Sequence, residues 1–330
     1  MKDILKKLKS AGLLSDQVSD YGNVPTGSFA LNKIISGSYT KGIPVGAITQ
    51  FHGESSTAKT VFATHILIEA QKLNYFTVLI DSENAYNAQF AEKLGLDPER
   101  LIYKSPETLE DCFQSINDII NEIREKDNET PIVIAYDSLA VSPSKAEFEE
   151  EGFQGNNMQG AIRAKSMGAC LRKINPHIKQ KKVALLVINQ IRSKVGILFG
   201  SPDTMAAGGK SLEYYLCVNL KTLSNKTSDL LKNEEGSVIG VKGTIRNTKN
   251  KLSLPFQECE FELLFDQGLT ETYGLLPLLV KDGFVVKDGA WYSFNGKKFQ
   301  AKTFPDIISG KLVEFSELVN IIKDKVTKND

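Results

Sequence analysis

The chain has 330 residues, an ordinary globular apolar share of 41%, and forty basic residues balanced by forty acidic ones. This length exceeds that of a small domain and indicates one large domain with appendages. A net charge of zero excludes attraction of nucleic acid by an overall positive field, so any such binding would have to use local loops.

The cysteines and histidines show neither a disulfide framework nor the spacing of a metal site. We expect the cysteines to be buried apolar residues of a reduced, cytosolic protein, at Cys112, Cys170, Cys217 and Cys259. We expect the histidines to be structural, at His52, His65 and His177. The N-terminus lacks a signal-peptide h-region, and no apolar run could span a membrane, which predicts a cytoplasmic protein without a membrane partner.

The first segment, residues 1–14, has an amphipathic pattern in which Ile4, Leu5 and Leu8 lie on one side between lysines. This pattern predicts a short helix. A helix of this length is marginal alone in water, so it must pack on its own core or on a neighbouring subunit. The polar stretch 15–23 separates it from the rest of the chain.

A candidate phosphate-binding loop follows the apolar run 45–51 and precedes the helical pattern 61–70. Its residues are Gly53, Glu54, Ser55, Ser56, Thr57, Ala58, Lys59 and Thr60. Small residues between a strand and a helix let main-chain N–H groups surround phosphate oxygens at the positive helix end. Lys59 would reach the β- and γ-phosphates, and the Thr60 hydroxyl would ligate Mg²⁺. The alternative is a Ser/Thr-rich turn that caps an ordinary helix.

Ala58 departs from the usual G-x-x-x-x-G-K-[ST] pattern, which has glycine at that position. If the position needs a positive φ, alanine costs about 1 kcal/mol more than glycine.

Two buried-type strands are predicted to end in acids. Residues 76–81 lead into Glu83, and residues 132–136 lead into Asp137. Carboxylates at the C-terminal ends of parallel strands lie at the ligand edge of a sheet. Glu83 could therefore be a general base for water, or else a solvated loop residue, and Asp137 fits the Walker B role toward Mg²⁺.

Between and after these strands, the pattern alternates helices with long loops. Thr108 begins the clearest amphipathic helix, which runs through Ile123. Residues 147–160 predict a mobile loop, and a helix follows from Ala161 to about Ile174. A buried strand, 183–188, then ends in Asn189-Gln190-Ile191-Arg192 before a second loop at 196–209. Loops of this length are usually functional or disordered.

The last third predicts antiparallel strands at 238–248 and 258–265, with Lys249-Asn250-Lys251 between them. From about Leu269, a helical run at 275–280, a hairpin at Asn295-Gly296 and a helix at 315–326 indicate a small α+β domain. We therefore predict an N-terminal arm at 1–24, a core at 25–268 and a C-terminal domain at 269–330.

Taken together, several motifs in one order resemble the RecA recombinase family. They are the octet at 53–60, Ile-Asp-Ser-Glu at 80–83, Asp137-Ser138, Ile-Asn-Gln-Ile-Arg at 188–192, Gly-x-Leu-Phe-Gly at 196–200, Lys-Asn-Lys at 249–251 and Gly-Ala-Trp-Tyr-Ser at 289–293. The resemblance covers nearly the whole chain. Residues 97–100 and 283–287 are also similar to recombinases of large bacteriophages, which suggests a phage-encoded protein acting in the host cytoplasm.

The resemblance implies an α/β fold: a P-loop ATPase core with a mostly parallel central sheet, a short N-terminal helical arm and a small α+β C-terminal domain. It implies a DNA-dependent ATPase that forms helical filaments on single-stranded DNA and exchanges strands with homologous duplex DNA. The implied cofactors are ATP and Mg²⁺, and the ATP site would lie at the interface between subunits, with the N-terminal arm docking on the next one.

The resemblance also implies roles for individual residues. Lys59 and Thr60 would bind phosphates and Mg²⁺, Asp137 would order the metal shell through water, and Glu83 would activate the attacking water. Gln190 would sense the γ-phosphate, and Phe90 would stack on adenine. Lys249 and Lys251 would reach the ATP of the neighbouring subunit. The DNA-binding loops would lie at about 151–160 and 191–209, with candidate contacts at Met158, Arg163, Arg192 and Phe199.

Two departures from the family pattern matter. The second loop reads Met205-Ala206-Ala207-Gly208 where the family tends to be rich in threonine, and the chain end, 323–330, lacks an acidic tail. From the residues alone, the loops suit single strands and generic surface equally, and the lysine pair could be a solvated hairpin. Two other functions stay open: a nucleotide-gated DNA-binding filament with weak hydrolysis, and a hexameric helicase built on the same core.

Overall fold

A computed structural model describes residues 21–55, 57–149, 159–192, 205–206, 209–223 and 229–323. The strands are β1 (Asn23–Val24), β2 (Ile43–Pro44), β3 (Ala47–Gly53), β4 (Phe76–Asp81), β5 (Leu101–Lys104), β6 (Ile132–Asp137), β7 (Val183–Arg192), β8 (Met205–Ala206), β9 (Leu216–Leu223), β10 (Leu230–Lys232), β11 (Val238–Asn250), β12 (Glu258–Leu264), β13 (Gly268–Leu269), β14 (Val286–Asp288), β15 (Trp291–Phe294) and β16 (Lys297–Gln300).

The helices alternate with the strands through the first two-thirds of the chain. They are α1 (Phe29–Ser36), α2 (Lys59–Lys72), α3 (Ala88–Lys93), α4 (Leu109–Lys126), α5 (Lys145–Phe148), α6 (Gln159–Gln180), α7 (Gly209–Tyr215), α8 (Leu275–Lys281), α9 (Phe304–Ile308) and α10 (Ser316–Ile322). Short 3₁₀ turns lie at Pro98–Arg100, Ala301–Thr303 and Val313–Phe315. Within these described ranges, no helix combines the length and apolar character needed to cross a bilayer.

The central sheet has the order β13-β12-β11-β9-β3-β7-β6-β4-β5, with β10 beside β11 and β8 beside the end of β7. The strands from β9 to β5 are parallel, and those from β11 to β13 are antiparallel. The predicted α/β fold with a mostly parallel sheet is confirmed. Parallel strands end at one edge of a sheet, and the functional side chains gather there.

Apolar side chains cover both faces of the sheet, as expected for parallel strands. In β6, Ile132, Ile134 and Tyr136 belong to the apolar layer that contains α4 and α6, whereas Val133 and Ala135 belong to the layer that contains α1 and α2. This alternation follows from the two-residue period of a strand. The result is two apolar layers, one on each face of the sheet.

The segment after Leu269 contains a three-stranded antiparallel sheet, β14-β15-β16, flanked by α8, α9 and α10. The Asn295-Gly296 turn has φ values of 49° and 79°, which confirms the predicted two-residue hairpin. Its apolar residues join the core layer that contains α1 and α2. Asp282 also pairs with Lys33 at 2.7 Å and accepts from the Tyr39 hydroxyl at 2.6 Å. The three-part division at residues 24 and 268 stays a prediction, and the helix predicted at 1–14 lies outside the described residues.

Several predicted bounds were wrong. The helix predicted to end near Ile174 continues to Gln180 through Pro176, because Ile178 is fully buried in the apolar layer. The loop predicted at 147–160 begins with helix α5, which Ser144 and Glu147 stabilise through a capping box. Helix α7 begins at Gly209, and β8 lies within the predicted second loop. The terminal helix predicted for 315–326 is observed at Ser316–Ile322, and residues 324–330 lie outside the described part.

The cysteines are all free thiols. Cys112 and Cys259 are buried, as the sequence predicts. The prediction was wrong for Cys170 and Cys217, which are half-buried because each packs against an apolar layer without being enclosed by it. The histidines have structural contacts. His177 Nδ1 lies 2.7 Å from Asn117 Oδ1, and His65 Nε2 accepts from the Leu269 N–H at 3.0 Å. His65 also lies against two glycines: a Cβ on Gly268 would come within 2.3 Å of His65 Nε2, and one on Gly27 within 3.3 Å of Nδ1. The described residues contain no cluster of three His, Cys, Asp or Glu side chains suited to a metal.

Candidate functional site

The phosphate-type loop joins the end of β3 to the start of α2, as the sequence predicts. Gly53 ends β3 opposite Thr222 of β9. A Cβ on Gly53 would come within 2.1 Å of Thr222 Oγ1 and 2.8 Å of its main-chain oxygen. Close approach of a neighbouring strand therefore requires glycine at this position.

Ala58 lies immediately before α2 with φ 63° and ψ 13°, in the left-handed region. Residue 58 therefore has the positive φ at which alanine costs more than glycine, because glycine adopts this conformation at little cost. An alanine there is destabilising by about 1 kcal/mol. The Ala58 carbonyl still accepts the first helical hydrogen bond, from the Phe62 N–H at 3.0 Å.

Lys59 is buried, with 6% of its surface exposed, and its ammonium points back into the loop. Nζ donates to the Glu54 carbonyl at 2.5 Å and to Thr57 Oγ1 at 3.3 Å. Burial lowers the pKa of Lys59, and the nearby carboxylates of Asp137, Glu83 and Glu54 oppose that shift. The loop thus holds a partly desolvated cation at the mouth of a cleft.

Thr60 and Asp137 meet at the sheet edge, where Thr60 Oγ1 donates to Asp137 Oδ2 at 2.6 Å. Burial raises the pKa of Asp137 to about 6. The Thr60 hydrogen bond opposes this shift, and the charges of Glu83 and Asp81 add to it. A hydroxyl beside a carboxylate is a hard oxygen donor set of the kind that Mg²⁺ prefers. The residues present therefore fit that ion.

Glu83 is half-buried and accepts two hydrogen bonds at one oxygen. Ser138 Oγ donates to Glu83 Oε1 at 2.5 Å, and Gln190 Nε2 donates to the same atom at 2.9 Å. The three residues come from the ends of three different strands, β4, β6 and β7. The structure thus brings the predicted base and the predicted sensor into direct contact.

A cleft of about 420 Å³ lies at this edge. It is lined by Ser55, Thr57, Ala58, Lys59, Thr60, Val61, Glu83, Asp137, Ile188 and Gln190. Cationic, hydroxyl and acidic side chains therefore face one space of a size that suits a small ligand. Ser56 of the predicted octet lies outside the described residues.

Asp81 was missed as a site residue from the sequence. Its carboxylate accepts from the main-chain N–H of Glu83 at 3.1 Å, from that of Tyr86 at 2.9 Å and from the Tyr103 hydroxyl at 3.2 Å. These contacts fix the turn that carries Glu83. An Asp two residues before a turn position is a local signal that could have identified it.

Phe90 lies on α3, whose first turn is capped by Asn87, and it is 37% exposed. It is not among the described residues that line the cleft.

Lys249 and Lys251 also lie away from the cleft of their own chain. Lys249 belongs to β11 rather than to a connecting loop, because this strand continues to Asn250 and pairs Lys249 with Asn219 of β9. The placement predicted between the two strands was therefore wrong for this residue. Its ammonium donates to the Glu213 carbonyl, and burial followed by the charge of Lys251 lowers its pKa. Lys251 follows the strand and is exposed.

The candidate DNA contacts are described only in part. Arg163 Nη2 donates to the carbonyls of Leu139 at 2.5 Å and Ala140 at 3.0 Å, so its guanidinium is engaged beside the end of β6. Arg192 ends β7, and its main chain pairs with Met205 of β8. Met158 and Phe199 lie outside the described residues.

Comparison with known proteins identifies the family. The model of the RecA N-terminal domain matches residues 4–270. Protein RecA of Aquifex aeolicus is 35% identical over 304 residues, which cover 92% of this chain and 82% of the relative. Protein RecA of Geobacter sulfurreducens is 33% identical over 312 residues, covering 94% and 86%, and that of Allochromatium vinosum is 34% identical over 275 residues, covering 83% and 74%. The predicted phage origin stays a prediction, and the chain belongs to the RecA family.

Proposed function

We propose that this member of the RecA family acts as a recombinase of DNA recombination and repair. It would hydrolyse ATP in a DNA-dependent reaction while forming a helical filament on single-stranded DNA, and would promote pairing and strand exchange with homologous duplex DNA. One observation carries the proposal. The loop cation Lys59, the Thr60–Asp137 pair and the Glu83–Gln190 contact line one cleft at the edge of the parallel sheet.

Lys59 and the loop from Gly53 to Thr60 would hold the phosphates. The N-terminal end of α2 adds main-chain N–H donors and the positive end of the helix dipole. Thr60 and Asp137 would hold Mg²⁺, which when bound would neutralise charge on the β- and γ-phosphates. Phosphoryl transfer depends mainly on such positioning and charge stabilisation, which this cleft is equipped to provide.

Glu83 would accept a proton from the attacking water. Ser138 and Gln190 both donate to Oε1, which orients the carboxylate of this cleft-lining residue. A base must lie within hydrogen-bond reach of the proton that it removes, so this orientation matters as much as basicity. Gln190 would report the γ-phosphate to β7, which leads into the second candidate DNA loop.

The remaining roles concern partners. Phe90 would stack on adenine, and Lys249 and Lys251 would complete the ATP site of the neighbouring subunit, consistent with their position outside the cleft of their own chain. Met158, Arg163, Arg192 and Phe199 would contact single-stranded DNA through phosphate contacts and base stacking. The N-terminal arm would dock on the next subunit.

ATP turnover with and without single-stranded DNA tests this proposal, combined with electron microscopy of the same mixtures. Strong stimulation by DNA together with helical filaments is the expected result. Filaments that form with ATP but turn it over no faster on DNA would favour a nucleotide-gated binding filament. Closed rings would favour a helicase.

A further inference from the structure

Two buried threonines meet beneath the phosphate loop. Thr222 Oγ1, at the end of β9, lies 2.7 Å from Thr57 Oγ1, and each residue is 2% exposed. Thr57 donates its own proton to the Glu54 carbonyl at 2.8 Å, so in this pair Thr222 is the donor. Thr57 Oγ1 also accepts from Lys59 Nζ at 3.3 Å. A hydroxyl from β9, which is far from the loop in sequence, thus stabilises the loop and the position of its lysine.

A second cluster of buried polar side chains surrounds Asn219, which lies three residues before Thr222 on β9. Asn219 Oδ1 accepts from Gln50 Nε2 at 2.9 Å and lies 2.8 Å from His52 Nδ1. Since Asn219 Oδ1 is an acceptor, we assign the proton of His52 to Nδ1. Burial lowers the pKa of His52 to about 4, so the imidazole is neutral near neutral pH.

The same group continues to the sensor strand. Gln50 Oε1 accepts from Asn189 Nδ2 at 3.2 Å, and Asn189 Oδ1 accepts from the Gln190 N–H at 2.9 Å. The two groups also approach one another, because Thr222 Oγ1 lies 3.3 Å from the His52 carbonyl. Thr222, Gly53 and Gln190 are paired across β9, β3 and β7.

The two ends of this arrangement, Thr57 and Gln190, line the cleft, whereas Thr222 and Asn219 do not. Buried polar groups are costly unless they are hydrogen-bonded, and each of these two hydrogen-bonded clusters holds its members in one arrangement. Strand β9 links the clusters, because it carries Thr222 of one and Asn219 of the other. Here the arrangement joins the loop that would hold the phosphates to the residue that would sense them. Apolar residues at positions 219 and 222 would pack in the sheet core equally well. The polar side chains there therefore point to a role in coupling the phosphate loop to Gln190.

We propose that Thr222 and Asn219 are positioning residues that couple the phosphate loop to Gln190, and thereby nucleotide state to DNA affinity. This inference rests on the proposed function, since it takes Gln190 as the sensor. Neither residue need touch the nucleotide. Asn219 is also the β9 partner of Lys249, so the same strand reaches the segment proposed to act on the neighbouring subunit.

The measured quantity is the dissociation constant for a labelled oligo-dT in ADP divided by that in a non-hydrolysable ATP analogue. Thr222→Val keeps the side-chain shape and removes the hydroxyl. We expect it to reduce this ratio about fivefold or more, the lower range of typical allosteric coupling, with nucleotide affinity changed less than about threefold. Thr222→Ser restores the hydroxyl and should restore the ratio.

Asn219→Leu should reduce the ratio similarly, and it should have no further effect in a Gln190→Ala background, because the sensor is then already absent. Thr49→Val is the matched control. Thr49 is buried on β3, and its hydroxyl has no hydrogen-bond partner among the described residues, so the ratio should stay at the wild-type value.

The outcomes distinguish failure of the proposed function from failure of the coupling role of Thr222 and Asn219. A wild-type ratio near one would overturn the proposed function itself. A large wild-type ratio that Thr222→Val and Asn219→Leu leave intact would overturn the coupling role alone, as would a Thr222→Ser variant as defective as Thr222→Val. Thermal melting monitors folding, and if Asn219→Leu does not fold, the two Thr222 variants decide the question.

Discussion

Gln190 Nε2 donates to Glu83 Oε1 at 2.9 Å, and this contact joins β7 to β4 across the end of the intervening strand β6. Ser138, just past β6, donates to the same oxygen at 2.5 Å. The orientation of the Glu83 carboxylate therefore depends on two strand ends besides its own. A ligand that moved Gln190 would change the position of the candidate base in the same motion.

Replacing Glu83 by Gln should remove the base and keep its shape. The Gln oxygen can still accept from Ser138 and Gln190, so the cleft should stay intact. We expect ATP turnover on DNA to fall by roughly two orders of magnitude or more, the range for loss of a general base. Nucleotide and DNA binding should survive. Glu92→Gln, an exposed acid on α3, makes the same charge change and should turn over normally. Unchanged turnover in Glu83→Gln would assign the base to another acid.

Ala58→Gly should relieve the left-handed strain at φ 63°. The gain is about 1 kcal/mol. It gives roughly fivefold tighter nucleotide binding where the loop adopts this conformation on binding, and added folding stability where the free loop already has it. Titration calorimetry measures the affinity. Asn74→Gly is the matched control, because Asn74 has φ 59° beyond the other end of α2, away from the cleft. It should change stability without changing affinity. Weaker binding by Ala58→Gly would contradict the strain explanation.

His65 should make the protein acid-sensitive. Burial, followed by the charge of Lys72, lowers its pKa to about 4 from the usual 6.5. The unfolded chain then binds more protons than the folded one between these values, so the free energy of unfolding decreases as pH falls from about 6.5 to 4. We expect His65 to account for about 3 kcal/mol of that loss, since each pKa unit corresponds to about 1.4 kcal/mol.

Urea unfolding at several pH values, with wild type and His65→Gln compared, measures this contribution. Gln can accept from the Leu269 N–H without titrating in this range. The difference in stability between the two proteins should shrink steadily below pH 6.5 and be constant above pH 7.5. A difference that does not vary with pH would show that His65 titrates with the same pKa in the folded and unfolded states.

The sequence predicted the parts of this site that depend on local order. Strand ends at Asp81 and Asp137, the loop before α2 and the helix beginning at Leu109 all follow from patterns within about ten residues. The capping box at Ser144 and Glu147 is equally local and could have been predicted. Contacts between residues far apart in the sequence could not be predicted from such local patterns. Thr222 braces Thr57 only because β9 lies beside β3, and that neighbour is set by the packing of the whole sheet.

Asp81→Ala should misplace Glu83 without removing it. The Asp81 carboxylate holds two main-chain N–H groups of the turn, and a shift of about 1 Å in a catalytic group can lower rates roughly 100-fold. We expect kcat to fall by about one to two orders of magnitude while KM for ATP changes little. Tyr103→Phe removes a single one of the three hydrogen bonds and should have a small effect. Full activity in Asp81→Ala would show that the turn holds its shape unaided.

A second subunit should complete the active site. Lys249 lies within β11 and Lys251 just beyond it, and neither lines the cleft of its own chain. If they contact the γ-phosphate of the neighbour, they act like an arginine finger supplied in trans, which can raise rates by several orders of magnitude. Hydrolysis should then rise steeply with protein concentration on DNA and be negligible for isolated monomers.

Mixing two defective proteins tests this directly. One carries Lys59→Ala, and the other carries Lys249→Ala with Lys251→Ala. In a mixed filament, the intact phosphate loop of the second protein can meet the intact lysines of the first, so part of the activity should return. Lys311 is exposed in the C-terminal segment. A protein that carries Lys311→Ala in place of the two lysine changes therefore controls for the loss of surface charge. Absence of recovery, in filaments that contain both proteins, would mean that the lysines act within their own subunit or not at all. Recovery requires neighbouring subunits to share each site, because neither protein alone contains both the loop lysine and the lysine pair.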